Sequence, residues 1–124
     1  MTLLEQATDL QQRAAGPGIF DAVDTYYADD VTIVEATGDT FHGRETQKGR
    51  IVEWQQGVQE VHGGEITAIA AHEAGPGTGV VFVESALDMT RTDGVRVAFE
   101  EVAVQQWRYG RIVHERFYYN APDA

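Results

Sequence analysis

The spacing of apolar residues along the chain changes from a helical period to an extended period about halfway. Apolar side chains three and four positions apart predict an amphipathic helix over residues 2–15, which the Gly-Pro-Gly segment at 16–18 ends. A second, short apolar stripe covers residues 19–27, and the same spacing predicts a longer helix over residues 44–57. The first half of the chain is therefore predicted to be mainly helical.

The remaining segments carry the pattern of β-strands joined by tight turns. Residues 31–35 form a short run rich in β-branched side chains, which favours a strand, and residues 38–43 are predicted to form a loop. The pair Asp93-Gly94 supplies the positive φ angles that a hairpin turn requires. Residues 120–124 are expected to fray. Further strands are predicted at residues 65–73, 80–91, 95–108 and 111–119.

The predicted order is α-α-β-α-β-β-β-β, with consecutive hairpins at the end. Helices followed by sequential strands indicate an α+β domain in which one antiparallel sheet packs on helices. The last three strands are long, and a long twisted sheet curls. We therefore expect the curved antiparallel sheet to wrap around the long helix and to leave a concave pocket open at one end.

Composition and charge exclude several classes of protein. The chain has 124 residues, 43% of them apolar, which is enough for one domain with a hydrophobic core. Its net charge of −11 argues against nucleic acid and against anionic membrane surfaces as partners. No apolar run reaches membrane-spanning length, the N-terminal residues lack signal-peptide character, and cysteine is absent, so a cytoplasmic location is expected.

Familiar cofactor and nucleophile motifs are missing. The single serine, Ser85, lies within a predicted strand and outside any nucleophile elbow. The glycine-rich segment at 75–79 has no Gly-Lys-Ser/Thr sequence and precedes a strand, so it is not a phosphate loop. We expect no cofactor and no metal, since no two histidines have metal-ligand spacing. The histidines are His42, His62, His72 and His114.

Two stretches carry a resemblance to a known group of proteins. The sequence YADDVTIVE at residues 27–35, followed by FHGRE at 41–45, resembles the first half of the nuclear transport factor 2-like superfamily, which includes ketosteroid isomerases and SnoaL-like polyketide cyclases. The WRYGRI segment at 107–112 and the aromatic final strand agree with its second half. The resemblance implies one SnoaL-like domain over residues 1–124, with a cone-shaped (cystatin-like) α+β barrel and a homodimer formed through the outer sheet face.

The same resemblance suggests a catalytic residue. Ketosteroid isomerases keep their general base, an aspartate, at the ninth position of the YADD segment, where this chain has Glu35. Two features of that family's site are missing. The first helix has no tyrosine for an oxyanion hole, and Ala103 stands where the family has a protonated aspartate. SnoaL-like cyclases require fewer catalytic groups than ketosteroid isomerases: one acidic residue as base and an apolar cavity.

Strand alternation extends the candidate site. The resemblance places Ala103 and Tyr119 on the inner face, and period-two alternation then turns Glu101 and Glu115 inward as well. Carboxylates that crowd an apolar cavity raise one another's pKa, so Glu35, Glu101 and Glu115 are the catalytic candidates. The predicted ligand-binding wall consists of Trp54, Ala103, Gln105, Trp107, Phe117 and Tyr119.

Simpler explanations of these acids remain open. Glu101 could pair with Arg116 or Arg111 across the strands, and Glu115 could pair with Arg44 or Arg96. Three functions therefore stand side by side: a cofactor-independent enzyme that abstracts a proton next to a carbonyl, a non-catalytic protein that binds a small hydrophobic molecule, and a dimeric association module that uses the outer sheet face.

Overall fold

Three helices and six strands make up the residues that the computed structural model describes, 1–120. The helices are α1 (Leu3–Ala14), α2 (Ile19–Tyr26) and α3 (Arg44–Gly57). The strands are β1 (Tyr27–Val34), β2 (Thr40–His42), β3 (Val58–Gly75), β4 (Thr78–Arg91), β5 (Arg96–Arg108) and β6 (Arg111–Tyr118). The predicted α+β class and the predicted order of elements are confirmed, with β2 as one addition. The predicted fraying of residues 120–124 falls largely outside the described residues.

The strands form one curved, unclosed sheet in the order β2-β1-β6-β5-β4-β3. Neighbouring strands are antiparallel except for β1 and β6, which pair in parallel. The expectation of a wholly antiparallel sheet was wrong at this pair. The chain leaves β1 and crosses through α3. It then returns by hairpins, so β6 lies beside β1 and points the same way. The carboxyl ends of β1 and β6 therefore lie next to each other, at the same end of the sheet.

Two strands begin earlier than predicted and one short strand was not predicted, because pairing with a neighbouring strand decides where a strand forms. Strand β1 begins at Tyr27, directly after α2, rather than at residue 31. The predicted loop at 38–43 contains β2, which pairs with β1. Strand β3 begins at Val58, seven residues before the predicted start, because the long strand β4 offers a partner along its whole length.

Strand β3 forms one edge of the sheet and is exposed along most of its length. Its pairing with β4 is interrupted at four places, for example between Val61 and Gly63. Such irregularities twist an edge and make it a poor template for pairing with another chain.

The hydrophobic core lies between the sheet and the helices α1 and α2. Helix α1 begins with a capping box, in which Thr2 accepts from the Glu5 N–H at 3.1 Å and Glu5 accepts from the Thr2 N–H at 2.9 Å. The main buried residues are Leu3, Ala7, Leu10, Ala22, Val23, Tyr26, Val31, Ile33, Val81, Val83, Trp107 and Ile112. Within residues 1–120, no helix is long and apolar enough to cross a membrane.

Helix α3 packs differently from the other two helices. It has no fully buried residue, and of its predicted apolar stripe only Ile51 packs partly against the core. Trp54 is 45% exposed. The inward contact of α3 toward the end of β1 is made instead by a charged residue, Arg50. Helix α3 therefore contacts the end of β1 through the positive charge of Arg50 and contributes little to the hydrophobic core.

Candidate functional site

A chain of buried hydrogen bonds runs across β5, β6 and β1. The indole N–H of Trp107 donates to Oε1 of Gln105 at 3.0 Å, and Nε2 of Gln105 donates to Oε2 of Glu115 at 2.7 Å. The hydroxyl of Tyr27 donates to Oε1 of the same carboxylate at 2.6 Å. Gln105 is completely buried and Glu115 is 2% exposed. These four side chains meet because Gln105 and Glu115 are paired directly across β5 and β6.

Burial and hydrogen bonding act in opposite directions on Glu115. Loss of water is the largest effect and raises the pKa of this carboxyl overall, and the donors Tyr27 and Gln105 lower it in part. The pKa of Tyr27 is raised well above its ordinary value, first by burial and then by the negative charge of Glu115. The tyrosine therefore keeps its proton and serves as a permanent donor to Glu115.

Glu35 lies just past the end of β1 and is held by two donors. Its Oε1 forms an ion pair with Arg50 of α3, and its Oε2 accepts from the Tyr119 hydroxyl at 3.2 Å. The guanidinium of Arg50 stacks on the ring of Phe41, 3.9 Å from its centroid. Glu35 and Tyr119 meet because the parallel strands β1 and β6 end at the same edge.

Glu101 differs from the other two carboxylates in having no hydrogen-bond donor among residues 1–120. It lies on β5 four residues before Gln105, and its side chain is partly buried. Burial, followed by the negative charges of Glu115 and Glu35, raises its pKa from 4.5 to about 7. A carboxyl with such a pKa exists in both protonation states near neutral pH, as a general acid or base must.

The cross-strand ion pairs considered as simpler explanations do not form in the described residues. Arg96 pairs with Asp88, and Arg44 pairs with Asp24 and Asp29. Arg111 donates to backbone carbonyl oxygens, and Arg116 stacks on Tyr118. Neither Glu101 nor Glu115 is therefore paired with an arginine of a neighbouring strand in the described residues; the charges of Glu115 and Glu35 act on Glu101, and those of Glu35 and Arg50 act on Glu115.

The remaining predicted wall residues divide into two groups. Ala103 on β5 is buried, and Phe117 on β6 packs against the core. Tyr119, directly after β6, packs on Phe99 with ring centroids 5.7 Å apart. All three lie on the same strands as Glu101 and Glu115 or just beyond them. Trp54 lies on α3 and is not part of the hydrogen-bonded cluster.

Two open depressions flank the aromatic pair Phe99 and Tyr119. One has a volume of about 830 Å³ and is lined by residues 63–65, 86–88, 98–100 and 120. The other, of about 460 Å³, is lined by residues 36, 100 and 116–120. Neither is lined by Glu35, Glu101 or Glu115. Phe99 lines the first depression and Tyr119 lines the second.

Two site residues were missed by the sequence analysis. Tyr27 belongs to the predicted apolar stripe at 19–27 and to the segment that carries the resemblance, and no local signal in the sequence marks its hydroxyl as buried. Arg50 lies in the helix predicted at 44–57, and the apolar spacing of that helix predicts only which apolar residues face the core. The signal for Arg50 was the low apolar content of α3 itself, which fits a helix that turns a polar group inward.

Within residues 1–120, no group of three or more histidine, aspartate or glutamate side chains could hold a metal ion.

Comparison with known proteins agrees with the fold and with the arrangement of the sheet. The model of the SnoaL-like domain matches residues 2–119, and the chain belongs to this family. Its architecture is that of the nuclear transport factor 2-like and ketosteroid isomerase-like proteins. No curated protein matches the chain significantly in sequence.

Several solved structures are similar over nearly the whole chain. A provisionally assigned SnoaL-like polyketide cyclase from Mesorhizobium loti is 29% identical, with a TM-score of 0.76 over 96% of this chain and 100% of that one. A protein of ketosteroid isomerase-like fold from Catenulispora acidiphila, solved with trimethylamine, is 25% identical, with a TM-score of 0.73 over 98% and 88%. A provisionally assigned isomerase from Bacillus subtilis is 16% identical, with a TM-score of 0.74 over 97% and 90%, and supports the fold alone.

Proposed function

We propose that the protein is a cofactor-independent enzyme of the cyclase or isomerase type, which removes a proton next to a carbonyl group in a small, largely apolar substrate. The family supports a cyclase or isomerase. The observation that carries the proposal is Glu101, a carboxyl without a hydrogen-bond donor in the described residues and with a pKa of about 7 beside two other carboxylates.

In this proposal Glu101 is the general base and Glu35 is not. Glu35 already accepts from both Arg50 and Tyr119, so each of its oxygen atoms is engaged by a donor. Glu115 is buried and bonded on both oxygens, which leaves it without access to a substrate. Glu101 is partly exposed, so a substrate carbon can approach its free oxygen atoms.

The proton transfer leaves a negative charge that the site must stabilise. The substrate C–H bond breaks, its proton passes to the Glu101 carboxylate, and the electron pair moves to the carbonyl oxygen to form an enolate. The pKa of Tyr119 is raised to about 12, mainly by burial, so its hydroxyl stays protonated. In the proposed step, the single hydrogen bond that this hydroxyl donates moves from Glu35 to the enolate oxygen. Return of the proton to another carbon, or attack of the enolate on a second carbonyl, completes an isomerisation or a cyclisation.

The aromatic pair Phe99 and Tyr119 supports an apolar substrate. The two rings are tilted by 39° to each other, and Phe99 lines one depression and Tyr119 the other, so a flat hydrophobic molecule has aromatic faces to contact.

The experiment that tests the proposal is exchange of carbonyl-adjacent protons for deuterium in a panel of small apolar ketones, followed by NMR. The wild-type protein should accelerate exchange of at least one ketone, and Glu101→Gln should reduce the rate about 10²–10⁴-fold. Glu53→Gln is the matched control, because Glu53 is exposed on α3 and lines neither depression. Tight ketone binding without exchange in the wild type would instead identify a binding protein.

We further propose a homodimer through the outer face of the sheet. Phe82 is 45% exposed and Tyr118 is 51% exposed on that face, where Phe82 pairs across the strands with Val104. Large exposed apolar side chains that are close together on a sheet are typical of an association surface.

A further inference from the structure

The amide orientation of Gln105 is fixed by its neighbour Trp107. An indole N–H can donate a hydrogen bond and cannot accept one, so the carbonyl oxygen of Gln105 must face Trp107. The NH2 group of Gln105 must then face Glu115, which it contacts at 2.7 Å. Both side chains project from the same face of β5, two residues apart, and both are buried.

This orientation determines which form of Glu115 fits. Each oxygen of Glu115 accepts one hydrogen bond, from Tyr27 on one side and from Gln105 on the other. A protonated Glu115 would need an acceptor for its own hydrogen. The Tyr27 hydroxyl could accept it only by turning its own O–H away from Glu115, and within residues 1–120 that buried O–H has no other acceptor. The Gln105 amide could offer its carbonyl only by rotating, and its NH2 would then face the N–H of Trp107, which would place two donors against each other.

We infer that Trp107, acting through Gln105, holds Glu115 as the anion and so assigns the exchangeable proton of the carboxylate pair to Glu101. The inference rests on the proposed function, because it explains how the proposed base acquires its protonation behaviour. Trp107 and Gln105 are positioning residues in this scheme, since neither reaches the substrate.

The other charged and titratable groups around the pair are consistent with this assignment. From the end of β1, the charge of Glu35 raises the pKa of both Glu101 and Glu115. From α3, the charge of Arg50 lowers the pKa of Glu115. The hydroxyls of Tyr27 and Tyr119 remain protonated, since the pKa of each is raised. Strand β4 places Ser85, which does not titrate, opposite Glu101. Arg50, Tyr27 and Gln105 therefore all favour charge on Glu115.

The test is a residue-resolved carboxyl titration by ¹³C NMR of the substrate-free protein, in the wild type and in Trp107→Phe. In the wild type, Glu115 should be ionised at a pH where Glu101 is still half protonated. In Trp107→Phe the amide of Gln105 is free to rotate, so Glu115 should retain its proton to higher pH. The titration midpoint of Glu101 should then fall by about one pH unit.

Two further variants keep the test decisive. Tyr26→Phe is the matched control, because it removes a hydroxyl bonded to Asp9 from a ring that packs on Trp107, 5.6 Å between centroids, and should leave the Glu101 midpoint unchanged. If Trp107→Phe does not fold, Gln105→Met removes the same donor to Glu115 and should lower the Glu101 midpoint in the same direction.

An unchanged Glu101 midpoint in a folded Trp107→Phe or Gln105→Met protein would overturn the inference, as would a wild-type Glu115 that ionises after Glu101. Neither result depends on a substrate. Failure of the proposed function would show differently, as a Glu101→Gln protein that exchanges ketone protons at the wild-type rate.

Discussion

Glu101 and Glu115 lie on the inner face of the neighbouring strands β5 and β6, yet only Glu115 is hydrogen-bonded. Glu115 accepts from Tyr27 and from Gln105, whereas Glu101 accepts from no group in residues 1–120. Two carboxylates in unequal surroundings ionise at different pH values, and a difference of this kind separates a permanent anion from an acid–base group. Burial and the charges of Glu115 and Glu35 together raise the pKa of Glu101 to about 7.

Replacement of the proposed base should stabilise the protein above neutral pH. The pKa of Glu101 is 4.5 at its ordinary value and about 7 in the folded protein, so the folded state binds more protons between these values. Its contribution to stability is therefore fully present below pH 4.5 and is lost as the pH rises through 7. Glu101→Gln should raise the free energy of unfolding at pH 8 by roughly 3 kcal/mol and change it little at pH 4. Urea denaturation at both pH values measures this, and equal effects at pH 4 and pH 8 would argue against a raised pKa.

The reaction rate should follow the ionisation of the same group. A general base acts in its deprotonated form, so exchange of ketone protons should increase with pH with a midpoint near 7, the pKa of Glu101. The pH profile of kcat/KM for the wild-type protein measures this midpoint. A profile that is flat from pH 5 to pH 9 would exclude Glu101 as the base.

Glu35→Gln separates the two candidate bases. The substitution removes a negative charge that raises the pKa of Glu101, and it breaks the ion pair with Arg50. We expect the midpoint of the pH–rate profile to fall and the maximal rate to decrease only about tenfold. A loss as large as that of Glu101→Gln, with no change of midpoint in any residual activity, would return the role of base to Glu35.

Glu115→Gln should affect both stability and titration. The amide cannot accept from Tyr27 and Gln105 at once without turning its own NH2 toward one of them, and this mismatch in a buried site should cost about 1–3 kcal/mol. Loss of the negative charge should lower the pKa of Glu101 toward its ordinary value. Denaturation together with the NMR titration of Glu101 checks both effects, and a Glu101 pKa that stays at about 7 would contradict the charge coupling.

The dimer proposal is tested by Phe82→Glu. A charge at this exposed position of the outer face should convert a dimer to a monomer, which sedimentation equilibrium measures. Val52→Glu is a matched control, because Val52 is 39% exposed on α3, away from the sheet face. A monomeric wild-type protein, or a Phe82→Glu protein that remains dimeric, would contradict this interface.

The local pattern of the chain predicted most elements because short-range signals define them. Helix α3 occupies the predicted residues 44–57, and the Asp93-Gly94 turn lies where expected, with Gly94 at a φ of +85°. The parallel pairing of β1 with β6 was not predicted, because it joins segments about 80 residues apart and has no local signature. Strand β2 was missed for the same reason, since only its pairing with β1 makes three residues a strand.

The candidate site shows the same division. Alternation placed Glu101, Gln105 and Glu115 on one face, and the structure brings them together. The contact of Glu35 with Tyr119 depends on the parallel strands, and its contact with Arg50 depends on how α3 packs, so neither followed from the sequence. The choice of Glu35 as base rested on family position alone. The bonds that engage Glu35 are long-range, and they favour Glu101 instead.

The most direct test of the account is the ¹³C NMR titration of the glutamate carboxyls in the wild-type protein, with the Glu101 signal assigned by its absence in Glu101→Gln. The account predicts that Glu101 titrates with a midpoint near 7 while Glu115 ionises at lower pH, and that an apolar ketone which exchanges its protons shifts the Glu101 signal. A Glu101 that titrates near 4.5 and does not respond to any ketone would contradict the central claim.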